Sequence, residues 1–333
     1  MKRQLVENIL KKAKSAKIAV IGDFCLDVYW FVNEIASEKS LETGLFTLPI
    51  NRQEHSLGGA GNIVNNLHAL GCTDLQAFGV IGNDLWGEKL MQKLNRIDVN
   101  SEGIIIQEQH WDTPSYIKPY KDNIELNRID FGNFNSLDKE TMNCLLSILE
   151  KNLKNQDIVI ISQQIARCLF VDEFIKKLSN LMNKFCNTLF IVDSRHNGDC
   201  FPSAILKINE FTAENMVGNV ANEEVDVKRE NSIKTAKILS KKLNQTIFIT
   251  RGKNGCIIVN EGEIKEVPSI KTNGKIDTVG AGDSMLAGIC IALVSGQNAY
   301  NSACLGTLAA AVSIKKLYQT GTVSPNELLL IAN

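Results

Sequence analysis

Short apolar runs alternate with stretches of helical period along most of the chain. Residues 17–21 form a β-branched run ending at Gly22-Asp23, the pattern of a buried strand that delivers polar residues at its carboxyl end. Runs at 76–81, 158–161, 188–192 and 246–250 then alternate with helical patterns at 85–94, 137–153, 170–185 and 232–243. Such alternation predicts an α/β fold: a mostly parallel sheet with helices on both faces. Helices are also expected at 298–317 and 325–331. Two segments break the rhythm. Residues 29–56 and 115–129 alternate irregularly, which predicts a small second sheet with strands at 31–32 and 45–48 around a loop at 37–43. The expected division is 1–28, 57–110 and 130–333 for the α/β core, with 29–56 and 111–129 forming a β lid.

One glycine-rich segment carries the sharpest chemistry. Asp277-Thr278-Val279-Gly280-Ala281-Gly282-Asp283-Ser284 opens into an apolar run over 285–294 that reads as a buried helix. The first N–H groups of a helix lack intrahelical acceptors, and a glycine bend lets an anion approach them. The helix end adds about half a positive charge. A carboxylate beside such a site repels the anion unless it has a task. Accepting the proton of an alcohol that attacks a phosphoryl group is a task that fits Asp283. A helix-start acid after a plain turn fits the same residues. A second glycine segment, Ser56-Leu57-Gly58-Gly59-Ala60-Gly61-Asn62, leads into a helical stretch over 63–70 with Gly71 as its stop.

Composition narrows the classes. At 333 residues and 44% apolar content the chain builds one large core or two smaller ones, and a net charge of −1 gives it no general affinity for nucleic acid. Lys11, Lys12, Lys14 and Lys17 read as a solvated helix face. Nine cysteines without a C-x-x-C pair and four scattered histidines offer no metal-ligand spacing, so the cysteines read as reduced, small hydrophobes of a cytoplasmic protein and no metal ligand is assigned. Residues 1–15 are patterned as an amphipathic helix rather than a leader, and the apolar run at 287–294 is too short to span a bilayer. No membrane partner is expected. No G-x-G-x-x-G follows the first strand, which excludes the usual NAD-dependent oxidoreductase arrangement.

The 277–288 stretch resembles the C-terminal signature of the ribokinase-like (PfkB) sugar kinases, and 56–62 resembles their N-terminal Gly-Gly signature. Residues 80–87 match the family's V-G-x-D-x-x-G turn, where Asp84 reads as a helix N-cap. The resemblance implies ATP and Mg²⁺, with Asp283 as base and the N–H groups of Gly280, Ala281 and Gly282 stabilising developing charge. It also implies that Asp27, Gly58, Gly59 and Asn62 hold the sugar under a lid that excludes water and pairs two copies of the chain. Thr250, Gly252 and Gly255, in a T-x-G-x-x-G turn that also reads as a plain hairpin, fall on the nucleotide side together with Thr278 and Glu214.

Within the family, Val28-Tyr29-Trp30, Lys118, Arg128-Ile129-Asp130-Phe131 and the 321–328 segment resemble the heptose 7-phosphate kinase branch. Lys118 and Arg128 would then meet a substrate phosphate, although both also fit solvated lid charges. The chain stops where the kinase part of that branch would, so no fused nucleotidyltransferase domain is expected. There are departures. After a strand expected to end near Phe211, the family's T-P-N-x-x-E reads Thr212-Ala213-Glu214-Asn215-Met216-Val217; D-P-K-G reads Asp193-Ser194-Arg195-His196; S-D-Y reads Ser162-Gln163-Gln164; and an adenine-side asparagine is Thr307. These changes keep the attacking end and thin the metal and nucleotide end, which leaves open an idle sugar- or nucleotide-sensing protein with the kinase fold.

Overall fold

The computed structural model describes residues 1–332 apart from 123, 167, 202–203 and 223–226. Helix α1 (Arg3–Ala13) and strand β1 (Lys17–Gly22) begin the first sheet. The chain leaves it at once through β2 (Phe24–Val32) and β3 (Ile50–Gly59), and α2 (Ala60–Ala69) brings it back to β4 (Asp74–Gly82), α3 (Leu85–Arg96) and β5 (Asn100–Gln107). Strands β6 (Ser115–Lys121), β7 (Ile124–Glu125) and β8 (Ile129–Phe131) return to the second sheet. After α4 (Lys139–Leu153) the chain alternates through β9 (Ile158–Gln163), α5 (Asp172–Lys184), β10 (Leu189–Ser194), β11 (Ile205–Asn209), α6 (Glu210–Met216), α7 (Arg229–Leu243) and β12 (Ile247–Thr250). Strands β13 (Cys256–Asn260) and β14 (Glu263–Val267) precede α8 (Ala281–Val294), α9 (Ala299–Ser313) and α10 (Pro325–Ile331).

The first sheet runs β14-β13-β12-β11-β10-β9-β1-β4-β5, parallel from β12 to β5 and antiparallel at β12–β13 and β13–β14. Its strands are apolar on both faces because both are covered. In β1, Ile18 and Val20 pack into the layer with α1, α2, α8 and α9, while Ala19 and Ile21 pack with α4, α5 and α7 on the other side. Helix α8 is apolar all round and accordingly buried from Ser284 to Ala292. Among the described residues no helix is long and apolar enough to cross a membrane.

The second sheet, β3-β2-β6-β7 with β8 on β6, stands beside the carboxyl ends of the parallel strands. Only Asp23 separates β1 from β2, and its Oδ2 accepts the N–H groups of Gln164 (2.7 Å) and Ile165 (2.8 Å), pinning the root of this sheet to the end of β9. The far side is held by Tyr318, which meets Tyr120 edge-on at 5.5 Å, and by Thr320 Oγ1 donating to Leu57 O (2.8 Å).

Three local expectations change. Leu45, Phe46 and Leu48 are exposed, and the segment forms an isolated bridge, Lys39 with Phe46, rather than a strand; the antiparallel partner of β2 is β3, whose polar outer half gave no alternating signal. The helix after the second glycine segment starts at Ala60 rather than at 63, because β3 runs through Gly59 and α2 follows at once. Strand β11 ends at Asn209 rather than near Phe211, since Asn209 Oδ1 accepts the Thr212 N–H (2.7 Å) and starts α6 there. Asp84 is the expected N-cap, accepting the Gly87 N–H at 2.7 Å.

Candidate active site

The site assembles at the carboxyl edge of the parallel strands, where α8 starts. Gly280 is its N-cap at φ 77°, a conformation that favours glycine, and a methyl group there would stand 2.7 Å from Asn62 Nδ2. Ala281 N–H is already donated to Thr278 O at 3.2 Å. The N–H groups of Gly280, Gly282 and Asp283 meet no acceptor among the described residues. Ala281 therefore leaves the anticipated set of donors, and Asp283's own N–H joins it.

Asn62 Nδ2 donates to Asp283 Oδ2 at 2.7 Å. That bond joins the two glycine segments. The amide of Asn62 is fixed by Asn66, whose Nδ2 donates both to the carbonyl Asn62 O (2.9 Å) and to Asn62 Oδ1 (3.1 Å), while Asn66 Oδ1 accepts from Ser284 Oγ (2.9 Å). A polar ladder thus locks α2 to the first turn of α8. Asp283 remains partly open to solvent, yet burial pushes its carboxyl up to about 7, against the lowering contact of Asn62; Asp193 raises it, Lys207 lowers it and Asp27 raises it. Removing the Asn62 donor removes a lowering influence. Asn62→Leu is expected to move the acid limb of the pH–rate profile to higher pH, a shift that rate measurements across pH 5–9 would detect.

Asp27 Oδ1 is held by Lys118 Nζ at 2.6 Å in a buried pair, and that ammonium lies 5.0 Å from the Tyr29 ring. Gly58 keeps room for the other oxygen: a methyl group on it would stand 2.5 Å from Asp27 Oδ2. Gly59, at φ 52°, makes the sharp passage from β3 into α2, with Asp23 O where a side chain would go. Arg128 lies farther out, half exposed, gripping Asp130 through Nε (2.6 Å) and Nη2 (2.7 Å) while its guanidinium covers Tyr116 at 4.7 Å. Lys118 is thus a buried partner of Asp27, and Arg128 is a paired surface charge.

The model for the pfkB family carbohydrate kinases matches residues 15–326. The chain belongs to that family. It is a sugar kinase, a phosphotransferase with an alcohol group as acceptor, and ATP use comes with the family. Two relatives, both named bifunctional protein HldE, are 29% identical over 95% of the chain (Sulfurimonas denitrificans) and 28% over 99% (Trichlorobacter lovleyi). The chain spans 64% and 65% of their length. The ribokinase of Arabidopsis thaliana complexed with ribose and ATP superposes with a TM-score of 0.73 at 16% identity, covering 96% of this chain and 99% of that one. Phosphofructokinase-2 of Escherichia coli with potassium gives 0.75 at 17%, covering 95% and 98%. The fold is therefore ribokinase-like.

The residues expected to meet the nucleotide scatter in role. Thr250 ends β12, Gly252 at φ 47° faces open space, and Gly255 at φ 85° is required by packing, since a methyl group there would strike Val267 O. Thr278 is exposed beside the start of α8. Glu214 is turned inward, its carboxylate held by Thr235 Oγ1 (2.7 Å) and Asn219 Nδ2 (2.6 Å), so it fastens α6 to α7. Sequence reasoning missed Asn66, the ladder's middle rung, and the buried pair of Asp193 Oδ2 with Lys207 Nζ at 2.7 Å. A charge inside the apolar strand runs of β10 and β11 was the available signal, because lysine and aspartate are rarely buried unless paired.

Proposed function

We propose that the chain transfers the γ-phosphoryl group of ATP to a hydroxyl of a heptose 7-phosphate, with Asp283 as general base. The observation that carries this reading is the Asn62–Asp283 bond, which brings the Gly-Gly segment and the start of α8 into one cleft. Asp27 Oδ2 and the backbone around Gly58 and Gly59 orient the sugar. The hydroxyl proton passes to Asp283 as oxygen attacks phosphorus, and the N–H groups of Gly280, Gly282 and Asp283 receive the developing charge. The heptose assignment is supported by the Val28-Tyr29-Trp30 and Arg128–Phe131 resemblance and by the HldE relatives.

Magnesium finds no ready cage in the chain's own residues. Among the described residues no three acidic, histidine or cysteine side chains are grouped to hold a metal. Four nearby carboxylates already have partners: Asp27 through Oδ1 to Lys118, Asp193 through Oδ2 to Lys207, Glu214 to Thr235 and Asn219, and Asp277 to the N–H groups of Val279 and Tyr318. A divalent ion is left to phosphate oxygens and water. The second sheet closes over the sugar as a lid and, through exposed Ile50, Ile129 and Phe131, pairs two chains.

A base titrating at about 7 is active once its proton has left. Turnover should therefore rise about tenfold per pH unit below that value and level off above it. The substrate is tested by ADP release from Mg-ATP with heptose 7-phosphate, sedoheptulose 7-phosphate and unphosphorylated sugars. Preference for heptose 7-phosphate supports the reading. Binding of sugar and nucleotide without turnover would identify a sensor instead.

A further inference from the structure

Lys207 stands on β11 in the middle of an apolar strand, yet its ammonium does not end in the core. A methyl group built on Gly282 would lie 3.2 Å from Lys207 Nζ, so the ammonium sits against the first turn of α8, on the residue whose N–H is unpaired. Lys207 and Asp193 are both buried, and their 2.7 Å pair joins the middle of β11 to its register partner near the carboxyl end of the neighbouring strand β10. Asp193 uses one oxygen on one of the three ammonium protons. Two protons are left for another acceptor, and Nζ lies beside the unpaired N–H group of Gly282, where burial strengthens its charge. The ion pair costs desolvation that a leucine and a threonine at these positions would avoid. The chain keeps the charge where a phosphate would arrive.

We infer that Lys207 is the cation that holds the γ-phosphoryl group of ATP at the start of α8, with Asp193 as the residue that aims it. The inference deepens the kinase reading and rests on it for the identity of the phosphate. In the transfer, the bond between γ-phosphorus and the β-bridging oxygen breaks and its electron pair stays on ADP. The new bond forms to the sugar oxygen, whose proton goes to Asp283. Lys207 keeps all its protons throughout and donates two of them to γ-phosphoryl oxygens. It therefore strengthens nucleotide binding and, more, the charged transition state.

The test compares Lys207→Met, Lys207→Arg and the double variant Asp193→Asn/Lys207→Met. Calorimetry measures ATP, adenosine and heptose 7-phosphate separately, and kinetics gives kcat and KM. Lys207→Met leaves Asp193 buried alone and can fail to fold, whereas the double variant buries no unpaired charge. The expected result is that the double variant binds ATP about tenfold or more weakly, binds adenosine and heptose 7-phosphate as before, and loses about a hundredfold in kcat; Lys207→Arg recovers part of both. Unchanged ATP affinity and turnover in the double variant would overturn the inference, and so would a loss confined to heptose 7-phosphate. If the unmodified chain phosphorylates no sugar, the kinase reading falls, while the contrast between ATP and adenosine still decides the role of Lys207.

Discussion

Asp283→Asn lowers kcat by about 10²- to 10⁴-fold while sugar affinity stays nearly unchanged. Asparagine keeps the size and the Asn62 contact but cannot take the hydroxyl proton, so the loss falls on the chemical step and not on binding. The same variant reports on stability with the opposite sign. The carboxyl's value is raised from 3.8 unfolded to about 7 folded, so the folded chain holds a proton that the unfolded chain has released. Folding stability from this group is intact below about pH 4 and is lost as pH rises through about 7. Asp283→Asn removes that loss, and its melting temperature should exceed the parent's at pH 8 by more than at pH 4.5. A variant that is slower and more stable at once is what a strained catalytic carboxylate predicts; equal melting curves would show that the environment does not penalise the charge.

Lys118→Met is expected to cost about 3–5 kcal/mol in urea unfolding, because it strands the Asp27 carboxylate in a buried position. Adding Asp27→Asn should recover most of that stability, since the double variant leaves no unpaired charge. Sugar binding should not recover with it, because Asp27 is the group assigned to the hydroxyls. Recovery of both would reduce the pair to a structural strut.

The parallel core was legible because its strands are continuous apolar runs separated by helices of clear period, as in residues 158–161 and 170–185. The second sheet was legible as a break in that rhythm but not strand by strand. Its long strand begins Ile-Asn-Arg-Gln-Glu-His, polar on both sides at an exposed edge, while the apolar 45–48 run that looked like a strand lies in the open. Asp283, Asn62 and Asp27 could be named because glycine bends mark where backbone and side chains meet a ligand. Their bonding could not be named. Asn62 meets Asp283 itself, and Lys118 meets Asp27, only because α2 packs on α8 and β6 runs parallel beside β2. Lys207 on β11 reaches Gly282 at the start of α8, a proximity that no local pattern encodes.

In the proposed reaction a sugar hydroxyl, and not water, attacks phosphorus beside Asp283 in the cleft closed by Asn62. Phosphorus NMR of Mg-ATP mixed with the kinase and heptose 7-phosphate tests it directly. The expected result is that the γ-phosphate signal of ATP disappears as a new sugar-phosphate signal grows in equal amount, in the unmodified chain and not in Asp283→Asn. Growth of inorganic phosphate instead, or the same sugar-phosphate signal from Asp283→Asn, would contradict it.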